Sequence, residues 1–384
     1  MAGTGPVARL VTDAGEGPRR RKGSIVFVAW RDLRHARGRF VLIGSVVALI
    51  TLLVGFLAGL TGGLAAQDVS AVLALPGDRL VLQQPSDGKP SFSESTIDAT
   101  TTSDWRAASG VEDVTPVGIV QGRVSAPGGD ATAVALFGVP GDAPGSTVAD
   151  LSPGSDDSVG LSAGAADELG VSVGDEVTVT GTTYRVAVVG GDAWYSHTPV
   201  VALSSKAWAD ADRRLGGDGE ATLLAVSGTP DWDAVAERTH TSAAPPWASL
   251  TALETFTSEV GSLGLMIVML FGVSALVVGA FFTVWTLQRT GDIAVLKALG
   301  ASTRSLRRDA LGQALVVLVA GTGVGIALVS GLGALAGGVL PFLLSPLTTA
   351  LPAVVTIVLG LAGAAVALRT VTTADPLTAL GSNR

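Results

Sequence analysis

The chain has 384 residues, 48% of them hydrophobic and only 15% charged, with a formal net charge of −8 and no cysteine. That balance points to a membrane protein. It excludes a disulfide framework and a thiolate metal site, and nucleic acid is not an expected partner. Residues 40–67, 260–287 and 310–368 contain no charge at all, and each run exceeds the roughly 20 apolar residues that a helix needs to cross a bilayer. The last is too long for one crossing and carries Pro341, Pro346 and Pro352 near its middle, so it reads as two helices joined by a turn. Four spans are predicted.

In chain order, residues 1–23 mix Gly, Pro and charge without period and read as a disordered cytoplasmic tail. In "SIVFVAWRDLRHARGRF", Val28, Leu33 and Phe40 share a helical face from which Arg31, Arg34, His35 and Arg37 are excluded. Residues 24–39 are therefore expected to lie as an amphipathic helix along the inner headgroups. The first span, 40–66, contains Gly55-xxx-Gly59, a pair that lets another helix approach closely. Its apolar run, and the 39 residues before it, are too long for a cleaved leader.

Residues 67–259 form the predicted extracytoplasmic domain. Over 67–260 there are 27 Asp and Glu against 9 Lys and Arg, a net charge of −18. The short runs "DRLVL", "AVALFGV", "DEVTVT", "YRVAVVG" and "PVVALS" have strand composition between Gly, Pro and Asp. "SAGAADELG" reads as a helix capped by Ser162 and stopped at Gly170. From Pro246 the pattern runs without a breaker to Leu287, predicting one long helix that leaves the membrane as a stalk. The remaining segments are a second span at 260–287, a cytoplasmic loop at 288–309, a third span at 310–338, an external turn at 339–350, a fourth span at 351–370 and a cytoplasmic tail at 371–384. The fold class is thus four transmembrane helices with an α+β domain inserted between the first two. Basic residues gather before the first span, between the second and third, and after the fourth. That places both termini inside a multi-pass protein of the plasma membrane.

Catalytic chemistry is sought and not found. No G-x-x-x-x-G-K-[ST] loop occurs, and "SDGKPS" lacks the upstream glycine and the hydroxyl residue, so this chain is not expected to hydrolyse ATP itself. "GLSAG" at 160–164 matches G-x-S-x-G, with Asp192 and His197 following in the chain order of an α/β-hydrolase triad. The surrounding segment is too small for that fold, and Ser162 already serves as a helix cap. His35, His197 and His240 are widely spaced with no H-x-x-x-H pair, so no metal site is predicted. Glu259, Met266 and Met269 lie near the outer end of the second span, Glu259 on the face of Met266. A carboxylate and a thioether there can coordinate haem iron; a solvated Glu above gap-filling Met is the plainer account.

The inner loop "GDIAVLKALGAS", 291–302, carries the one remaining organised pattern. Thr290 can cap a helix, Asp292 suits its first turn and Gly300 ends it, while Ile293, Leu296 and Leu299 make an apolar stripe beside Lys297. A second cap at Ser302 leads into the third span. Such a stripe is buried either on the membrane surface or in a groove of a cytoplasmic partner.

"TLQRTGDIAVLKALGASTRSLRRDALGQAL", 286–315, resembles the signature of the FtsX-like, MacB-like ABC transporter permeases. "RDLRHARGRF", "LSAGAADELGVSVGDEVTVTGTTYRVAVVG" and the closing "ADPLTAL" are similar to the same family, so that the resemblance covers nearly the whole chain from residue 25. "FFTVWTLQRTGDIAVLKALGAS" and "RGRFVLIGSVVALITLL" look most like the haemin-efflux (HrtB-like) and DevC-like exporter permeases. The resemblance implies a non-catalytic subunit, without a cofactor of its own, that pairs as a dimer around a separate ATP-binding ATPase. Ile293, Leu296, Lys297, Leu299 and Gly300 would then engage the ATPase. ATP-driven motion would pass through the membrane to the outer domain and expel a hydrophobic substrate, haemin or a lipid among the candidates. The FtsX branch of the family implies an alternative, the regulation of extracytoplasmic cell-wall hydrolases.

Overall fold

A computed structural model of the chain describes residues 37–140, 148–288, 302–336 and 340–372, with residues 291, 295, 299 and 300 between them. Four helices are long and apolar enough to cross a membrane. They are α1 (Arg37–Leu73), α7 (Glu254–Gln288), α8 (Thr303–Ala336) and α9 (Pro346–Thr372). All the described strands and five short helices lie between α1 and α7, as expected for an α+β domain inserted after the first span.

By packing, the chain falls into two units. The first takes its residues from Met1–Ala48, Ala275–Gly323 and Ile357–Arg384. Its described part is an apolar four-helix core: Phe40, Ile43 and Val47 of α1, Val278, Phe282 and Trp285 of α7, Ala314, Val317 and Leu318 of α8, and Ala364 and Ala367 of α9. Small residues set the distances. A methyl at Gly321 would meet the Gly44 carbonyl at 2.8 Å, and Gly279 and Gly363 face each other backbone to backbone, the close approach that glycine permits between membrane helices.

The second unit takes Leu49–Ser274 and Val324–Thr356. Its strands, in chain order, are β1 (Arg79–Gln83), β2 (Val111–Ser125), β3 (Ala131–Gly138), β4 (Ser158–Leu161), β5 (Glu176–Val179), β6 (Thr182–Val189), β7 (Trp194–Tyr195), β8 (Thr198–Leu203), β9 (Leu223–Gly228) and β10 (Thr241–Ala244). The short helices are α2 (Ala99–Arg106), α3 (Ala163–Leu169), α4 (Ser205–Leu215), α5 (Trp232–Thr239) and α6 (Pro246–Ser249). The strand order is β10–β1–β9–β2–β3–β8–β4–β6–β5, with β7 beside β8 and β5 pairing back onto β2. That last pairing, Val124 with Val179 and Ser125 with Thr178, closes β2, β3, β8, β4, β6 and β5 into a ring. The 15-residue β2 serves both halves: Val111–Val117 pair with β9, and Gly118–Ser125 pair with β3.

Trp208 of α4 packs into the core that the ring strands share through Val134, Leu136, Val201 and Leu203. Its indole lies against Gly118 and Gly138, which are cross-strand partners, and its Nε1–H donates to the Leu136 carbonyl at 3.1 Å. α3 begins and ends where the sequence indicates: the Ser162 side chain accepts from Ala165 N, and Gly170 closes the helix at φ +66°, a left-handed conformation that costs glycine little.

One expectation is overturned. The helix from Pro246 to Leu287 is not continuous: α6 ends at Ser249, a 3₁₀ turn covers Leu250–Ala252, and Leu253 is extended at φ −91°, ψ 112° before α7 begins. The break has a tertiary cause: the Ala252 carbonyl, which a continuous helix would use internally, accepts from Phe92 N at 3.3 Å, and Leu250 and Leu253 on either side of it are buried in the domain core. Residues 24–36 of the expected amphipathic helix lie outside the described residues.

Candidate functional site at the ends of α1 and α7

Within the second unit, the β7–β8 hairpin is the feature that brings chemistry together. Trp194 pairs with Pro199 and Tyr195 with Thr198, leaving Ser196 and His197 as a two-residue tip. Both have positive φ, +50° and +62°, as a type I′ connection requires. Asn-Gly adopts that shape readily; Ser-His does so at a cost of roughly 1 kcal/mol per residue. The tip keeps this conformation because it is docked. Ser196 N donates to the Asp68 carbonyl at 3.0 Å and His197 N to the Gln67 carbonyl at 3.2 Å. One turn further along α1, Ser70 Oγ accepts from Trp194 N at 2.9 Å and donates to Trp194 O at 3.4 Å.

α7 holds the same tip from a second direction. Ser196 Oγ and Thr255 Oγ1 are 3.1 Å apart, and His197 Nε2 lies 2.9 Å from Glu259 Oε1 and 3.6 Å from Asp68 Oδ1. His197 and Glu259 are about one-third exposed, whereas the Asp68 side chain is fully buried. Beneath the tip, Val69, Ala71, Val72 and Leu75 from the end of α1 share one apolar core with Leu250, Leu253, Phe137 and Tyr195, and Phe256 packs against it. Tyr195 meets Phe92 and Phe137 edge-on. Burial, with the Asp68 carboxylate adding to it, pushes its phenol up and keeps it neutral.

Beside the clamp is a groove of about 570 Å³, within the size range of small-molecule sites. Gly63, Gln67 and Ser70 of α1, Trp194 of the hairpin, and Pro341 and Phe342 of the segment before α9 line it. Asp167, Glu168 and Asp192 give it an acidic rim. Phe342 is seated over Gly59 and Gly333, its ring 5.0 Å from that of Phe56 and tilted to it by 41°; Leu343 N donates to the Gly59 carbonyl at 3.0 Å.

The residues singled out from sequence are distributed as follows. Glu259 belongs to the clamp, while Met266 and Met269 are more than half exposed on α7. Ile293, Leu296 and Lys297 of the inner loop lie outside the described residues; Leu299 is exposed, and Gly300 has φ +93°. Ser302 caps α8, accepting from Ser305 N at 3.3 Å. The G-x-S-x-G serine does not meet its supposed partners. Ser162 Oγ is buried and accepts from Ala165 N and Val200 N, Asp192 accepts from the Trp194 indole, and His197 faces Glu259. Sequence spacing missed the gathering of Asp68, His197 and Glu259, because 129 and 62 positions separate them. The available signal was Asp68 itself, a lone acid on a helix face otherwise occupied by buried Val69, Ala71 and Val72.

Residues 41–242 match the MacB-like periplasmic core domain, more than half of the chain, and residues 264–376 match the FtsX-like permease C-terminal domain. The chain belongs to the MacB-like, FtsX-like permease family. A protein of Staphylococcus haemolyticus described as a hemin transport system permease, HrtB, is 24% identical over 365 residues, covering 92% of this chain and 99% of the relative. An uncharacterised ABC transporter permease of Mycobacterium tuberculosis (strain H37Rv) is 26% identical over 373 residues, with coverage of 93% and 99%. Among solved structures, the periplasmic region of MacB from Actinobacillus actinomycetemcomitans aligns at 12% identity and a TM-score of 0.33. It covers 46% of this chain and 92% of that one. This MacB-like, FtsX-like ABC transporter permease is therefore a membrane protein with an extracytoplasmic domain, and its family implies a cytoplasmic ATPase partner.

Proposed function

We propose that this permease is the non-catalytic, dimeric subunit that carries motion generated by a cytoplasmic ATPase to its extracytoplasmic domain, and that the motion drives export of a hydrophobic molecule such as haemin or a lipid. The single observation behind this reading is the clamp. The outer domain does not hang from its membrane helices by flexible linkers; backbone and side-chain hydrogen bonds fix its β7–β8 tip to α1 and α7. A displacement of either helix end must move the sheet that carries β8.

The remaining parts fit. Basic residues flanking the apolar helices favour cytoplasmic termini and a cytoplasmic 288–309 loop, where Ile293, Leu296, Lys297 and Leu299 would seat in a groove of the ATPase and Gly300 would end the helix. α7 is the least covered of the four helices, with 17% of its apolar window buried within the chain against 33–39% for the others, and it supplies a surface for a second copy. The groove beside Trp194 supplies a place for an apolar cargo at the outer leaflet. Transport is preferred over hydrolase regulation because relatives along the full length of the chain are described as transport permeases.

The test is direct. Photo-crosslinking residues placed at Leu296 and Leu299 in intact cells are expected to trap an ABC ATPase, and the reconstituted complex is expected to move haemin or a fluorescent lipid across proteoliposomes on addition of ATP. Failure to trap an ATPase from either position, or activation of a cell-wall hydrolase by a complex that transports neither probe, would refute the proposal.

A further inference from the structure

We infer that Asp68, His197 and Glu259 bind a divalent transition-metal ion of the zinc type, which locks the β7–β8 tip onto α1 and α7. The argument begins with Asp68. It is completely buried, and neither carboxylate oxygen makes a hydrogen bond of normal geometry, with the Thr255 hydroxyl and His197 the polar groups that face it, an arrangement that folded proteins rarely tolerate. His197 Nε2 is nearest, but at 3.6 Å from Oδ1 it stands outside hydrogen-bond range. A buried carboxylate with open lone pairs, directed at an imidazole nitrogen and a second carboxylate, has the electrostatics of a cation's first coordination sphere.

The geometry agrees. One ligand atom from each residue lies within 4.8 Å of the others, with His197 Nε2 to Glu259 Oε1 at 2.9 Å and to Asp68 Oδ1 at 3.6 Å. Tetrahedral zinc, with bonds of about 2.1 Å, places its ligand atoms about 3.4 Å apart. Rotation of the His197 and Glu259 side chains, both about one-third exposed, brings all three to such a centre while Asp68 stays where α1 holds it. The donors come from three separately anchored elements: a helix, a strained hairpin tip and a second helix. Their positions are thus fixed before the ion arrives, which lowers the entropy that binding must spend.

The donor set also selects the ion. One imidazole and two carboxylates, without sulfur, suit Zn(II), Fe(II) or Mn(II) and not Cu(I), and a nitrogen ligand disfavours Ca(II) and Mg(II), which take oxygen throughout. Three protein ligands leave a fourth position on the side where Glu259 and His197 are exposed, open to water or to a donor atom of a cargo. The inference does not depend on what is transported or on any transport taking place; it concerns ligation alone.

The full-length chain in nanodiscs, stripped with a chelator, is titrated with Co(II) and read by its d–d absorption, then challenged with Zn(II). One Co(II) per chain, displaced by Zn(II), is the expected result. Glu259→Gln, at an exposed position that does not threaten folding, should weaken Co(II) binding by about 10- to 100-fold; His197→Asn, which keeps a residue tolerant of positive φ, should abolish the spectrum. Both variants should keep a single cooperative thermal unfolding transition when chelator is present, which separates lost ligation from lost folding. Absence of stoichiometric Co(II) binding by the wild type, or binding that neither variant alters, would show that the three groups form an ion-paired latch and overturn the metal assignment.

Discussion

Ser70→Ala isolates the clamp with a single atom. The serine oxygen accepts from Trp194 N at 2.9 Å and donates to Trp194 O at 3.4 Å; without it, a half-buried backbone N–H has no partner, while the tip keeps its bonds from Ser196 N and His197 N to α1. An unmet buried donor costs roughly 1–3 kcal/mol, and the partial exposure of Trp194 puts the expected loss at about 1–2 kcal/mol. That corresponds to a local opening roughly 5- to 30-fold more frequent. Hydrogen exchange by mass spectrometry on the ATPase-bound permease in nanodiscs should show faster exchange confined to residues 194–198, with β2 and β3 unchanged, because opening of a hairpin tip does not require the ring to unfold. The same complex should lose cargo-stimulated ATP hydrolysis. Ser103→Ala, which removes an exposed bond to the Thr100 carbonyl in α2, should alter neither reading. If exchange at the tip rises as expected while stimulation and transport stay at wild-type levels, the clamp does not transmit motion and the mechanism built on it fails.

Trp208→Ala should destabilise the outer domain by about 3–5 kcal/mol, read as a drop in its unfolding temperature. Gly118→Ala should cost about 1–3 kcal/mol, because its methyl would run into the ring carbons of the Trp208 indole. The double variant should be more stable than the sum of the two losses predicts, by at least about 1 kcal/mol, since the methyl enters the space the indole vacates. Gly63→Ala sets a methyl against the backbone of Pro341 and Phe342, atoms that no rotamer change can move aside. It should lower the unfolding temperature of the purified permease, whereas Gly44→Ala, with nothing within 4 Å, should not. Asp98 caps α2 by accepting from Thr101 N at 2.7 Å, and this bond to the charged form holds its carboxyl below the ordinary carboxylate value. Its stabilising effect is therefore complete above the unfolded pKa of about 4 and lost as pH falls through the lower folded value; Asp98→Asn should flatten the acid limb of the unfolding curve.

Much of this architecture was legible in the sequence because it rests on local rules. A helix in lipid must be uncharged for about 20 residues, so three gaps in the charge pattern are enough to mark four crossings once Pro341 and Pro346 divide the last. Strands such as Ala131–Gly138 and Thr198–Leu203 announce themselves by composition, and Ser162 and Gly170 by their capping chemistry. β2 did not. Pro116, Gly118 and Gly122 punctuate it as though it were a loop, yet Gly118 is glycine because the Trp208 indole occupies the place of its side chain, and Gly122 because Leu136 does the same at 2.9 Å. What reads as a breaker along the chain is a contact across it. The helix break at Leu253 was hidden for the matching reason: no Gly or Pro marks it, and what holds it, the Phe92 N–H on the Ala252 carbonyl and the core around Leu250 and Leu253, comes from distant segments.

The same distinction explains why the candidate site was the least legible part. A Ser-His pair between two short strand-like runs offers no turn signal, since I′ tips normally advertise themselves with Asn-Gly, and Glu259 carried a plausible role beside the exposed methionines. In the fold the two ends of the outer domain differ in construction and meet at the hairpin tip. α1 enters the core as an uninterrupted helix, burying Val69 and Val72, whereas the chain leaves through a turn and restarts at Glu254. An unbroken entry transmits axial rotation and translation; a broken exit alone would absorb them. The hairpin tip bridges that difference, because Thr255 and Glu259 lie just beyond the break and bond to the residues that Gln67 and Asp68 hold. On the proposed mechanism, movement at the end of either helix would return to the same strand pair, and force would reach the outer sheet without being lost at a joint.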